Sequence, residues 1–164
     1  MAKPTKYATL ICTIVSILAL VGIIIGILMS KPLLIVIFLI PTAAYEVYRT
    51  EGPSTVWASW VLLIVLILEI VLIAANINFD LASFFGESEK VVAGYTVPLG
   101  DIKIVGPIVI VILSIILFAR TRGRYTKWLA AVIFITCFAI VYAINPEIFK
   151  NLLGLVVDRG IESI

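Results

Sequence analysis

The sequence predicts an all-α integral membrane protein with about five transmembrane helices. Of its 164 residues, 63% are hydrophobic and 13% are charged, and its mean hydropathy of +1.23 lies far outside the range of soluble globular proteins. The apolar residues form five runs separated by short polar breaks, and a bilayer crossing needs about 20 residues. We therefore expect a single integral membrane domain over residues 1–164.

The first two runs predict a helical hairpin. Residues 7–29 form an apolar run longer than the roughly 7 to 15 residues of a signal peptide, so we expect an anchor that stays in the membrane. The Ser-Lys-Pro sequence at 30–32 interrupts the run, and because Ser can cap a helix and Pro fits its first turn, it predicts a tight turn. A second helix over 33–48 follows, with Pro41 expected to kink it.

The middle of the chain predicts one span and a structured loop. Residues 55–75 form the third predicted span, and residues 76–106 form a predicted extracytoplasmic loop. Within the loop, 91–97 and 102–105 flank a Pro-Leu-Gly-Asp turn, which predicts a small β-hairpin cap. Aromatic and aliphatic residues within 79–85 favour a short helix on the membrane surface.

The C-terminal third predicts two further spans and an interfacial helix. The fourth span is expected over 107–119 and the fifth over 128–144. Asn-Pro-Glu at 145–147 then provides an N-cap, a proline at the first position and an acidic first turn. The apolar residues of 147–162 lie mostly on one side, so we expect an amphipathic helix in the interface rather than a sixth span.

The residue types present exclude several function classes. The chain has no His, which removes His-ligated metal or haem sites and His-based catalysis. Cys12 and Cys137 lie in separate apolar runs, so we expect two buried thiols. A formal net charge of +2 gives no reason to expect a nucleic-acid partner. No cofactor, metal site or catalytic constellation is predicted.

A dense basic segment predicts the orientation. Basic residues favour the cytoplasmic side, and Trp and Tyr favour membrane interfaces. Four cations follow the fourth span: Arg120, Arg122, Arg124 and Lys127. The three tryptophans, Trp57, Trp60 and Trp128, fall at the same predicted boundary. We therefore expect a cytoplasmic N-terminus and an extracytoplasmic C-terminus. The four cations also suit anionic lipid headgroups, although a topology signal alone explains them.

Two carboxylates lie within or beside the predicted spans. Glu69 is well inside the third span, where a charged side chain costs about 2.5 to 3.5 kcal/mol on insertion scales. It is an ion or proton site, a partner for a basic group on another subunit, or a protonated group that hydrogen-bonds a neighbouring helix. Glu46 falls among aromatic and basic neighbours, which predicts a position at headgroup level and a surface pairing with Arg49.

A small-residue series on the first span predicts close helix packing. Gly22, Gly26 and Ser30 recur at every fourth position, the spacing that lets two helix backbones approach in a membrane. The spacing does not identify the partner, which is another helix of this chain, a second copy or a different subunit.

These features favour a non-catalytic accessory or structural subunit of a larger membrane complex, with other membrane subunits or further copies as partners. The alternative is a small homo-oligomeric channel or transporter that uses Glu69. An enzyme acting on lipid has less support, since no pair of nucleophile and base is visible.

Overall fold

The computed structural model describes residues 6–77, 90–92, 95–97, 102–146 and 149–150. Within these ranges, five helices are long and apolar enough to cross a bilayer, and the chain is therefore a multi-pass integral membrane protein. Their bounds are α1 Ala8–Leu28, α2 Pro32–Arg49, α3 Pro53–Ala74, α4 Ile102–Arg120 and α5 Arg124–Ile144.

The five helices form a closed bundle. Each packs on the next in the chain, α5 also packs on α1, and α2 contacts α5 across the interior. The least apolar span is α2, and its three helix neighbours bury its Thr42 and Glu46 side chains. The core between the helices is built from buried aliphatic side chains that include Ile35, Leu39, Leu62, Ile110, Ile133 and Ile140.

The bundle has one basic end, which carries Arg49, Arg120, Arg122, Arg124 and Lys127. At the opposite end, α1 and α3 finish in the same way. Ser30 and Asn76 have φ of 52° and 49°, and each follows the last turn as the left-handed residue of a Schellman motif. Lys31 N–H donates to Gly26 C=O at 2.9 Å and Ile77 N–H donates to Leu72 C=O at 3.1 Å.

The predicted capping role of Ser30 is therefore wrong. The N-cap of α2 is Lys31, and no side chain caps that helix. Ser30 instead closes α1, and the resulting short turn makes α1 and α2 antiparallel neighbours.

The predicted β-hairpin cap, with strands at 91–97 and 102–105, is not supported. Residues 102–105, expected as its second strand, form the first turn of α4, so the fourth span begins five residues before the predicted 107. A shorter antiparallel ladder joins Lys90–Val92 to Tyr95–Val97. Pro107 lies inside α4 near its start and follows Gly106, which lacks the Cβ that would crowd the proline ring in helical backbone.

The predicted basic loop is also shorter than expected. Arg120 is the last residue of α4, and α5 begins at Arg124 rather than at 128. Arg124 and Lys127 therefore lie on the first turn of a helix, because a helix continues past the end of an apolar run when its charged side chains reach the headgroups.

Two predicted helices lie largely outside the described residues. The surface helix at 79–85 is wholly outside them. Of the interfacial helix at 147–162, the structure describes Phe149 and Lys150, which are helical together with Pro146. The Phe149 N–H donates to Asn145 C=O at 3.3 Å, as expected if Asn145 precedes a helix.

Candidate functional site

Glu69 lies inside the bundle, between α3 and α4. Its side chain is fully buried, and its carboxylate rests against the backbone of Gly106 on α4. A Cβ at Gly106 would overlap the carboxylate oxygen and lie 2.9 Å from the Glu69 carboxyl carbon. The absence of a side chain at Gly106 therefore creates the space that Glu69 fills. Cys137, buried on α5, is within electrostatic reach of this carboxylate.

Glu46 is also fully buried, so the predicted pairing on the protein surface is wrong, although the residue lies at the basic end of the bundle. The Thr50 hydroxyl lies 3.1 Å from Glu46 Oε1 and 2.8 Å from the Glu46 backbone oxygen. The Ser59 hydroxyl of α3 donates to Thr50 Oγ1 at 3.0 Å. Among the described residues, Glu46 Oε2 has no hydrogen-bond partner. Packing inside the bundle therefore removes this carboxylate from water, although polar residues lie close to it in the sequence.

Arg49 and Tyr125 extend this polar cluster to α1 and α5. The Arg49 guanidinium carbon lies 5.1 Å from the Tyr125 ring centroid, a cation–π geometry. The Tyr125 hydroxyl is 2.9 Å from Thr9 Oγ1 on α1. We call Glu46, Arg49, Thr50, Ser59 and Tyr125 the basic-end cluster. It connects four helices, counting Thr9, at the basic end of the bundle.

The two buried carboxylates are separated along the bundle axis. Ser59 marks the level of the basic-end cluster on α3, and Glu69 lies ten residues further along the same helix, which corresponds to about 15 Å. Between these levels, Thr42 Oγ1 donates to the Val15 backbone oxygen at 3.2 Å. The described residues contain no group of three or more His, Cys, Asp or Glu side chains that would hold a metal ion.

The small-residue series faces a helix of the same chain. A Cβ at Gly22 would overlap the side chain of Phe38, and one at Gly26 would overlap Ile35, both on α2. Ser30 does not share this role, since it is exposed in the turn after α1. Of the three partners considered for this series, the structure shows the first, another helix of the same chain.

The four predicted headgroup cations divide into two pairs. Arg120 and Arg122 lie at the end of α4 and in the short loop, whereas Arg124 and Lys127 line a cleft beside α1. Cys12 lines the same cleft and Cys137 is in the core, and both thiols are free and buried, as expected.

Comparison of the chain with protein-family models, with curated proteins and with solved structures gives no match.

Proposed function

We propose that this chain is a non-catalytic subunit of a larger membrane complex, in which the five-helix bundle acts as a membrane-embedded scaffold. The observation that carries the proposal is the inward direction of both intramembrane carboxylates. Glu46 and Glu69 are fully buried within one copy of the chain. Glu69 lies against α4. Glu46 accepts a hydrogen bond from Thr50 at the end of its own helix, and Thr50 in turn accepts one from Ser59 of α3.

Buried polar side chains of this kind stabilise one particular helix arrangement, because lipid provides no alternative hydrogen-bond partner. Thr42 follows the same rule, since its hydroxyl on α2 donates to the Val15 backbone oxygen on α1. The outer faces of α1 and α3 carry exposed aliphatic side chains, including Leu10, Ile17 and Ile64. A scaffold presents such faces to lipid or to apolar helices of other subunits.

A second candidate is an ion-linked or proton-linked channel or transporter. The specific observation that favours it is the presence of two buried carboxylates in one bundle, since such groups mark ion paths in many transporters. The alternative in which Glu69 residues of several copies line a shared path would require a different bundle arrangement, because Glu69 faces α4 of its own chain.

Native mass spectrometry of the chain extracted from its own membrane distinguishes the two candidates. We expect the chain to leave the membrane together with distinct polypeptides in a fixed ratio. A ring of identical copies would support the channel, and a lone chain would contradict both.

The orientation is part of the proposal, with the basic end on the cytoplasmic side. All three tryptophans lie at that end on exposed surface, with Trp57 74% exposed. In a background lacking Cys12 and Cys137, we expect Ser30→Cys to react with an impermeant thiol reagent added outside intact cells. Gly123→Cys should react only after the cells are opened. The opposite pattern would reverse the orientation.

A further inference from the structure

A cleft at the basic end combines positive charge with aromatic and hydroxyl groups. It has a volume of about 380 Å³ and lies over α5, with α1 on one side and Phe118 of α4 on the other. From α5 it is lined by Arg124, Lys127 and Trp128, which lie on one helix face because they are three and four residues apart. The described lining residues include two cations and no acidic side chain.

The walls of this cleft are fixed by contacts between helices. Trp128 Nε1 donates to Ser16 Oγ of α1 at 2.9 Å. On the other side, Lys127 Nζ lies 5.6 Å from the centroid of the Phe118 ring. Together with the hydrogen bond between Thr9 and Tyr125, these contacts hold α1, α4 and α5 at the spacing that leaves the cleft open.

The cleft continues into an apolar groove. A second cavity of about 230 Å³ lies between α4 and α5, and it shares Phe118 and Ala131 with the first. It ends at Phe134, seven residues beyond Lys127 and therefore about 10 Å deeper in the bilayer. Its one polar residue, Ser114, donates its hydroxyl to the Val111 backbone oxygen at 2.7 Å, so the groove presents an apolar lining.

We propose that the cleft and the groove together bind one phospholipid with an anionic headgroup. The phosphate lies between Arg124 and Lys127, where its charge is complemented, and one acyl chain lies in the groove past Ala131. We choose a phospholipid because of the order of cleft and groove. The charged cleft is at headgroup depth, and the apolar groove runs directly inward from it. A free phosphate would use only the first part. The proposal is independent of the role proposed for the buried carboxylates.

The test is the number of lipids retained by the purified full chain in native mass spectrometry, with dioleoyl phosphatidylglycerol and dioleoyl phosphatidylcholine added in equal amounts. We expect one phosphatidylglycerol per chain. Arg124→Ala/Lys127→Ala should lower its retention by about tenfold or more, since each basic residue near the surface contributes measurably to anionic lipid binding. The matched control is Arg120→Ala/Arg122→Ala, which removes the same charge from the same end but not from the cleft.

A second pair of variants tests the groove. Ala131→Phe fills it and should lower phosphatidylglycerol retention, whereas Ala119→Phe on the exposed surface of α4 should not. Equal losses from the two arginine-containing double variants would overturn the proposal in favour of general electrostatic attraction. Equal retention of both lipids would overturn it too. Displacement of the lipid by millimolar inorganic phosphate, together with no effect of Ala131→Phe, would assign the cleft to a free anion instead.

Discussion

Gly26→Leu is expected to destabilise the bundle by about 3 kcal/mol or more, because added volume in a closely packed interface forces backbones apart. At Gly26 a Cβ would overlap the Ile35 side chain and lie 3.3 Å from the Ile35 backbone nitrogen. The two helices cannot separate freely, since only Met29, Ser30 and Lys31 connect them. The account therefore predicts damage within one chain rather than loss of a partner.

Thermal unfolding in mild detergent, followed by helical circular dichroism, measures this effect. For a chain of this size, the expected cost lowers the melting temperature by roughly 6 to 12 °C. Gly26→Ala should lower it less, and Ile24→Leu on the exposed face of α1 should leave it unchanged. If the Gly26→Leu variant has the melting temperature of the wild type but loses a partner chain, then α1 does not pack on α2 as described and its glycines face another subunit.

Gly106→Ala is expected to be the second most damaging change, and its cost should depend on Glu69. The new methyl group would occupy the position of the carboxylate, which has no exposed space into which to move because Glu69 is fully buried. In a Glu69→Ala background the carboxylate is absent, so the same substitution should cost about 1 to 3 kcal/mol less, within the usual coupling range for residues in contact.

A Glu69→Gln background separates shape from charge. The amide has the size of the carboxyl group and can still accept and donate hydrogen bonds. If the conflict with Gly106→Ala is steric, its cost persists in this background, as read from the same melting measurement. A cost that disappears with Glu69→Gln would show that the charge of Glu69, not its volume, sets the fit between α3 and α4.

The spans were predictable because each needs a long apolar run, and all five predicted runs correspond to helices of the bundle. The starts of α4 and α5 were not. Lys103, Arg124 and Lys127 end the apolar runs, but a helix ends where its backbone hydrogen bonds end, and charged side chains at the interface do not break them. Pro107 also resembles a helix start in the sequence, although it lies inside α4 as Pro41 lies inside α2.

The site was predictable in part. The position of Glu69 deep in an apolar run is enough to mark it as a candidate site residue, since a carboxylate there must face protein or water. The burial of Glu46 was not predicted because it depends on packing against other helices, such as α3, that lie near it only in the folded bundle. The hydroxyl residues near Glu46 were a usable signal of this burial. Thr50 and Ser59 lie at helix ends that face each other across a short turn. The partner of Gly22 and Gly26 could likewise be inferred from the short turn, which forces α1 and α2 together.

The proposal that this chain is a scaffold subunit is tested most directly by the mass of the particle that contains it. Extraction from the native membrane into polymer-bounded lipid discs, followed by native mass spectrometry, should give a particle in which the 17.9 kDa chain is accompanied by different polypeptides. The Glu69→Gln chain should give the same particle. A particle made only of 17.9 kDa copies, or a lone chain, would contradict the account.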